Sequence, residues 1–187
     1  MNLPWQNIIW QQFGAAIDDL ENTIRACPAD LWYLKLWDEP QEELVWYEPY
    51  FWYLAYHTLY WLDLQLTGAE EGFAPPPPFV LIEQQPGDPM PDPYTRQQLL
   101  DYLDLCRQRC RETIENLTEE TAGRICTFPW GRITFAELQL YNMRHVQGHT
   151  AQLNMALGQH GSTGPAWVAR AEGGKIFVPS LIRRQTQ

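Results

Sequence analysis

Apolar residues recur at every third or fourth position along four long segments of the 187-residue chain, and this spacing constrains the fold most strongly. It gives each segment, when helical, one apolar stripe that must be buried against another helix. The predicted helices span about residues 3–26, 48–66, 95–117 and 134–157. Because no segment has a convincing strand pattern, we predict an all-α fold, a four-helix bundle.

The residues at the ends of these segments support the predicted bounds. Pro28 follows the first helix, and Gly68 is placed to end the second as a C-cap. Thr95 is the predicted N-cap of the third helix. Thr134 and Glu137 match a capping box, in which each side chain satisfies the other residue's backbone donor. The four helices therefore have recognisable starts or stops.

Eight of the fifteen prolines lie in residues 67–94, between the second and third helices. Such a stretch is an extended, proline-rich crossover rather than a regular element. Fully extended it reaches on the order of 90 Å, whereas a 20-residue helix is about 30 Å long, so these two helices can run parallel. We predict a single domain over residues 1–187, with the bundle at about 5–158 and an irregular tail at 159–187. The stretch between the third and fourth helices is also predicted to be irregular.

The formal charge of −10 argues against nucleic acid and anionic membrane surfaces as partners, because both require a basic footprint. Residues 1–12 lack the features of a signal peptide. The most apolar run, residues 49–62, is shorter than the roughly 20 residues of a membrane span. We therefore expect a cytoplasmic protein whose four cysteines are reduced thiols.

Two of the four histidines, His145 and His149, lie four residues apart on the fourth predicted helix. At this spacing both rings project from one face and can converge on one point. The stripe that contains them is apolar at its ends and polar in its middle: Leu138, Asn142, His145, His149, Gln152 and Ala156. The pair is predicted either to bind a metal or, about equally, to be satisfied by hydrogen bonds or solvent.

His57 lies in the middle of the second predicted helix, among aromatic residues. Taken alone, it is better explained as a core histidine bonded to a tyrosine hydroxyl. Taken with His145 and His149, it completes a three-histidine site between two helices, with open positions for water or substrate. His160 follows the last helix among glycines and is predicted to lie at the surface.

Two segments carry a resemblance to a known family: HTLYWLDL at residues 57–64 and RHVQGHTAQL at residues 144–153. The arrangement resembles the DinB/YfiT-like superfamily of four-helix-bundle metalloenzymes over about residues 5–158. Family members often show H-x-x-x-H-R-G-Q, whereas this chain has Thr150 and Ala151 in place of Arg-Gly and keeps Gln152. The resemblance implies a divalent metal, nickel, zinc or iron, on the three histidines.

Several relatives are S-transferases or isomerases that use a low-molecular-weight thiol such as bacillithiol or mycothiol. The resemblance thus implies a metal-dependent enzyme that transfers such a thiol to a small electrophile. Metal-bound water or thiol would be the nucleophile, with no side chain assigned as catalytic. The alternatives are a noncatalytic homodimer that binds a metal or small ligand, and a metal-dependent hydrolase.

Five further residues are candidates for supporting roles at this site. Gln152, Asn142 and Tyr53 are expected to orient the ligands or the bound water. Arg144 or Arg132 could hold a carboxylate of the thiol, although solvated arginines on an acidic surface are the more ordinary interpretation.

Cys106 and Cys110 also lie four residues apart, which leaves a competing metal or redox site to be considered. They fall on the apolar stripe of the third helix, where a reduced cysteine acts as a small apolar residue. We therefore predict that both pack in the core.

The second helix has further apolar residues on a face turned away from His57: Trp46, Phe51, Trp52, Leu59 and Leu62. Two explanations fit this face: the proline-rich segment and tail cover it, or it is an interface between two copies. We expect a homodimer, partly because relatives of the resembling family often pair.

Overall fold

The structure is a computed structural model that describes residues 4–37, 49–81 and 90–171. It confirms the predicted all-α bundle, whose four long helices are accompanied by one short helix and a small hairpin. In chain order the elements are α1 (Pro4–Ala26), α2 (Phe51–Thr67), α3 (Arg96–Glu115), α4 (Glu119–Gly123), β1 (Ile125–Phe128), β2 (Gly131–Thr134) and α5 (Phe135–Gln159). Of the helices in these ranges, none combines the length and the apolar content that a bilayer span needs.

Contacts at both ends of α2 and α3 show that the two helices run in the same direction. Tyr94, directly before α3, packs against Tyr56 near the start of α2, with 4.8 Å between ring centroids. Arg109, late in α3, pairs with Asp63, late in α2, at 2.7 Å. The parallel arrangement that the long connection allows is therefore present. Residues 82–89 of the predicted crossover lie outside the described residues.

Helices α1 and α3 run in opposite directions. Gln6, at the start of α1, donates to the carbonyl of Leu117, just after α3. Further along, Arg107 of α3 binds Glu21 of α1 at 2.5 Å. Polar contacts thus fix the register of this pair at both ends, while the apolar stripes fill the core between them.

The helix ends follow the predicted pattern closely. Thr95 caps α3 in a full capping box with Gln98. Thr134 caps α5 by accepting a hydrogen bond from the backbone N–H of Glu137 at 3.4 Å, which is the first half of the predicted box. Helix α2 ends at Gly68, whose φ of 80° is the left-handed conformation of a glycine C-cap.

The prediction of an irregular stretch between the third and fourth helices is wrong. β1 and β2 pair antiparallel there, with Ile125 opposite Thr134. Cys126 and Phe128 are buried while Ile125 and Thr127 are exposed, so β1 alternates as a half-buried strand does. Four residues make too short a run for this alternation to stand out in the sequence.

The outward face predicted for the second helix is buried within the chain itself. Its four described members are Phe51, Trp52, Leu59 and Leu62, of which none is more than 1% exposed. Trp32 contacts Phe51 at 5.6 Å between ring centroids, and Tyr94 contacts Trp52 at 5.8 Å. Trp46 lies outside the described residues. The surface that suggested a homodimer is therefore buried within this chain, partly by its own connections, and the homodimer stays a prediction.

Beyond α5, residues 160–171 form neither helix nor strand, and their end lies along α1. The backbone N–H of Ala171 donates to the carbonyl of Gln11 at 3.0 Å. A Cβ on Gly14 would lie 2.5 Å from the Cβ of Ala171, so a glycine is what allows this close approach. Residues 172–187 of the predicted tail lie outside the described residues.

Candidate metal centre

Two buried side-chain amides set the register between α2 and α5. Gln139 Nε2 donates to the carbonyl of Gln65 at 3.1 Å, and Asn142 Nδ2 donates to that of Leu62 at 3.0 Å. From Gln139 to Asn142 on α5, the bonded residue on α2 moves back from Gln65 to Leu62. The two helices are therefore antiparallel. The bonds also satisfy polar groups that would be costly to bury alone.

The same antiparallel register holds further along the two helices. It places His57 of α2 opposite the turn of α5 that contains His145 and His149. Between ring centroids, His57 lies 5.3 Å from His145 and 4.9 Å from His149, and the latter two are 4.4 Å apart. Each ring offers one nitrogen to a group of three that lie within 4.8 Å of one another. The structure therefore brings the three predicted ligand residues together.

The histidine cluster lies at the edge of the bundle rather than at its centre. His57 is 6% exposed, whereas His145 and His149 are half-buried. Gly148 lies between the two α5 histidines, and a Cβ added there would meet no atom within 4 Å. The cluster therefore lies where α5 faces open space at Gly148 and where two of its three rings are half-buried.

One histidine has its orientation set by a neighbouring amide. His149 Nδ1 lies 2.6 Å from Gln152 Oε1, one helical turn further along α5. Because a carbonyl oxygen only accepts, Nδ1 carries the proton and Nε2 keeps its lone pair. A hydrogen bond at the second nitrogen is how proteins fix a metal-binding imidazole.

Burial keeps the three imidazoles neutral. It lowers the pKa of His57 well below its ordinary value, with a further contribution from the two neighbouring histidines. Burial and the proximity of His149 lower the pKa of His145 to about 3. Burial also lowers the pKa of His149, although its bond to Gln152 acts the other way. At neutral pH all three rings are therefore neutral, and each has one nitrogen with a free lone pair, as metal ligands must have.

The side chains present fit a divalent metal ion. Three neutral imidazoles whose nitrogens lie within 4.8 Å of one another are a donor set that suits zinc, nickel or iron. His145 Nδ1 is buried and has no hydrogen-bond partner among the described residues. A polar atom left in this condition is expensive in a core, which favours a functional explanation for the ring.

The comparison with known families agrees with this geometry. The sequence model of the DinB superfamily matches residues 12–153, which include all three histidines. The chain belongs to the DinB superfamily. The resemblance predicted from residues 57–64 and 144–153 is thereby confirmed.

The crystal structure of a DinB-like protein, YjoA, from Bacillus subtilis has the same fold as this DinB-superfamily chain. The two share 16% sequence identity with a TM-score of 0.57, and the match covers 89% of this chain and 100% of YjoA. The comparison with curated proteins finds no match.

Two of the predicted supporting residues have other contacts in this DinB-superfamily chain. Asn142 is fully buried, and its amide donates to the backbone of α2 at Leu62. Tyr53 packs edge-on against Tyr56, with 6.3 Å between ring centroids. The structure therefore places Gln152 in contact with a candidate ligand, and places Asn142 in a hydrogen bond between α5 and α2.

The two predicted arginines lie on the surface. Arg132 of β2 and Arg144 of α5 are both exposed. Neither guanidinium group makes an ion pair or hydrogen bond with another residue of the described ranges. Both guanidinium groups are therefore accessible to a ligand, although the structure places neither against the histidines.

The sequence reasoning missed Gln139, which is fully buried and bonds α5 to α2. A polar residue directly after Leu138 on a buried stripe is a weak signal, because glutamine is common on helix surfaces. It also gave no role to Trp61, whose ring lies edge-on to that of His57 at 6.3 Å. The i, i+4 spacing of these two residues could have identified that contact.

The competing cysteine pair is part of the core. Cys106 and Cys110 are fully buried in α3, and Cys106 Sγ lies 3.8 Å from the carbonyl of Leu59. Burial raises the pKa of both thiols well above the ordinary value. A thiol held in this way is a poor nucleophile and a poor metal ligand.

Proposed function

We propose that this protein is a divalent-metal-dependent enzyme that transfers a low-molecular-weight thiol to a small electrophile. The observation that carries the proposal is the convergence of three neutral histidines from two helices, two of them half-buried. Three protein ligands and open positions are typical of catalytic rather than structural metal sites. Membership of the DinB superfamily supports the same conclusion.

The proposed ligands are His57, His145 and His149, and the ion is nickel, zinc or iron. When bound, such an ion lowers the pKa of a thiol or water at the open position, so that a nucleophile forms near neutral pH. The imidazoles are neutral and leave the charge of the ion undiminished. The hydrogen bond between His149 Nδ1 and Gln152 Oε1 leaves the lone pair on His149 Nε2 available to the ion.

Asn142 is proposed to position His145 in the way that Gln152 positions His149. His145 Nδ1 and Asn142 Oδ1 are both buried, and neither has a partner among the described residues. The two residues lie one turn apart on α5, so a small rotation of the ring brings Nδ1 to this acceptor. Asn142 can accept this bond while its Nδ2 remains bonded to Leu62.

Arg132 and Arg144 are proposed to bind a carboxylate of the thiol, because both are exposed and unpaired within the described residues. Arginine is well suited to this role, since its planar group binds a carboxylate through two parallel hydrogen bonds.

The test is to measure metal content and thiol consumption on the same preparations. The wild-type protein should retain one divalent ion per chain and consume bacillithiol, mycothiol or glutathione in the presence of an alkylating electrophile. His149→Ala should lose the ion and the activity. His160→Ala, which removes an exposed histidine beyond α5, should retain both.

The outcomes separate the alternatives. A wild-type protein that binds no divalent ion would contradict the proposal entirely. Turnover of the electrophile without any thiol would identify a metal-dependent hydrolase instead. Stoichiometric metal without turnover of either kind would identify a binding protein.

A further inference from the structure

Aromatic rings adjoin the histidine cluster on both helices that form it. Trp61 follows His57 by one turn of α2, is half-buried, and lies edge-on to that ring at 6.3 Å. Tyr141 precedes His145 by one turn of α5 and is 36% exposed. Residues four apart are neighbours on a helix surface, so Tyr141 shares one face of α5 with His145 as Trp61 shares one face of α2 with His57.

Trp61 and Tyr141 lie at about the same height along the bundle axis. Asn142 donates to the carbonyl of Leu62 at 3.0 Å, so the backbones of α5 and α2 are adjacent at this point. Tyr141 and Trp61 each precede one of these two residues. They therefore flank the histidine cluster at the same end, one from each helix.

The hairpin holds the Tyr141 ring in place. Trp130, in the turn between β1 and β2, stacks on Tyr141 with 5.1 Å between centroids and 23° between planes. Phe128 stacks on Trp130 in turn, at 5.2 Å and 5°. Among the described residues Trp130 is the one ring that contacts Tyr141, which remains 36% exposed. A ring fixed in this way loses little conformational entropy when a ligand stacks on it.

We propose that Trp61 and Tyr141 bind the flat part of the substrate, and that the electrophile is an aryl or other flat conjugated compound. The proposal rests on the function proposed above, because it requires the reacting group to reach the histidine cluster. Stacked and edge-to-face aromatic contacts are favourable beyond the apolar area that they bury. An alkyl electrophile of similar reactivity would gain only the burial of its apolar surface.

The test uses two metal-chelating probes, benzohydroxamate and acetohydroxamate, on the zinc-loaded full-length protein. Both carry the same chelating group, so acetohydroxamate reports on the metal site and the ratio of the two affinities reports on the rings. Trp61→Leu and Tyr141→Leu replace each ring by an apolar side chain. Trp167→Leu, which removes a 62% exposed indole outside the bundle helices, is the matched control.

We expect each of the two variants to weaken benzohydroxamate binding by about 2- to 10-fold while acetohydroxamate binding is unchanged. The control should keep the wild-type ratio. Zinc content and the thermal unfolding midpoint show that each variant is folded. Because Tyr141 is exposed, its variant tests the proposal even if Trp61→Leu is unstable.

Three results would overturn the inference. Unchanged affinity ratios would mean that the rings only cover the edge of the helices. An equal loss for both probes would mean that Trp61 supports His57 rather than the ligand. If neither probe bound the zinc-loaded wild-type protein, the open metal site itself would be wrong, and the proposed function would fail with the inference.

Discussion

The candidate metal site consists of a few side chains whose types and spacing can be read from the sequence. His145 and His149 lie on one face of a helix because 3.6 residues make a turn, which holds in any tertiary context. Gln152 lies three residues beyond His149, and its contact at 2.6 Å is of this local kind. The partner of Asn142 is not local, because it depends on which helix lies opposite.

Gln152→Leu should weaken metal binding by about 10- to 100-fold, because the imidazole of His149 loses the acceptor that orients it. The dissociation constant for zinc is measured by competition with a chromophoric chelator at neutral pH. Gln159→Leu, at the exposed end of α5, is the control and should keep the wild-type affinity. An unchanged affinity in Gln152→Leu would show that packing alone orients His149.

The bounds of the long helices could be predicted to within a few residues, because periodicity and caps are local signals. The hairpin of β1 and β2 could not be predicted, since each strand has four residues and is stabilised by pairing and by docking on α5. Its sequence carried weak signals in β-branched Ile125 and Ile133 and in the turn residue Pro129.

Gly68→Ala should lower the free energy of unfolding by about 1–3 kcal/mol, measured by chemical denaturation. The φ of 80° at this C-cap is unfavourable for alanine, and its Cβ would lie 2.5 Å from Arg124 Nη2 and 3.0 Å from Cys126 Sγ. The matched control is Gly72→Ala, where φ is 78° but a Cβ would meet no atom within 4 Å. Equal losses in both variants would mean that the contact with the hairpin contributes nothing.

For the whole molecule, the histidine cluster couples stability to pH. The pKa values of His57, His145 and His149 are all lowered in the folded chain, mainly by burial. Below the ordinary histidine pKa of about 6.5 the unfolded chain therefore binds more protons than the folded one. Their contribution to stability is full above that pH and is lost as the pH falls towards the folded values.

Buried Asp19 opposes this trend. Burial raises its pKa from 3.8 to about 6, so this carboxyl group favours the folded state as the pH falls through that range. Asp19 is one group, whereas three histidines act in the opposite direction. We therefore expect the free energy of unfolding of the metal-free protein to decrease as the pH is lowered.

The free energy of unfolding of the metal-free protein should therefore decrease between pH 7 and pH 5. Each buried histidine contributes up to about 1.4 kcal/mol per pH unit below pH 6.5. His145→Gln removes one of the three groups and should show a shallower decrease, measured by urea unfolding at several pH values. A variant with the wild-type slope would show that His145 is not held neutral in the folded chain.

The sequence by itself determined the four long helices, the helix-end residues and the two separate histidine motifs, because each depends on neighbours within a few positions. Only the tertiary structure decided that His57 lies opposite His145 and His149, since this requires the register that Gln139 and Asn142 establish between α2 and α5. It also decided that Phe51 and Trp52 of α2 are covered by this chain's own connections. Periodicity identifies which residues share a face of one helix, whereas only packing decides what that face contacts.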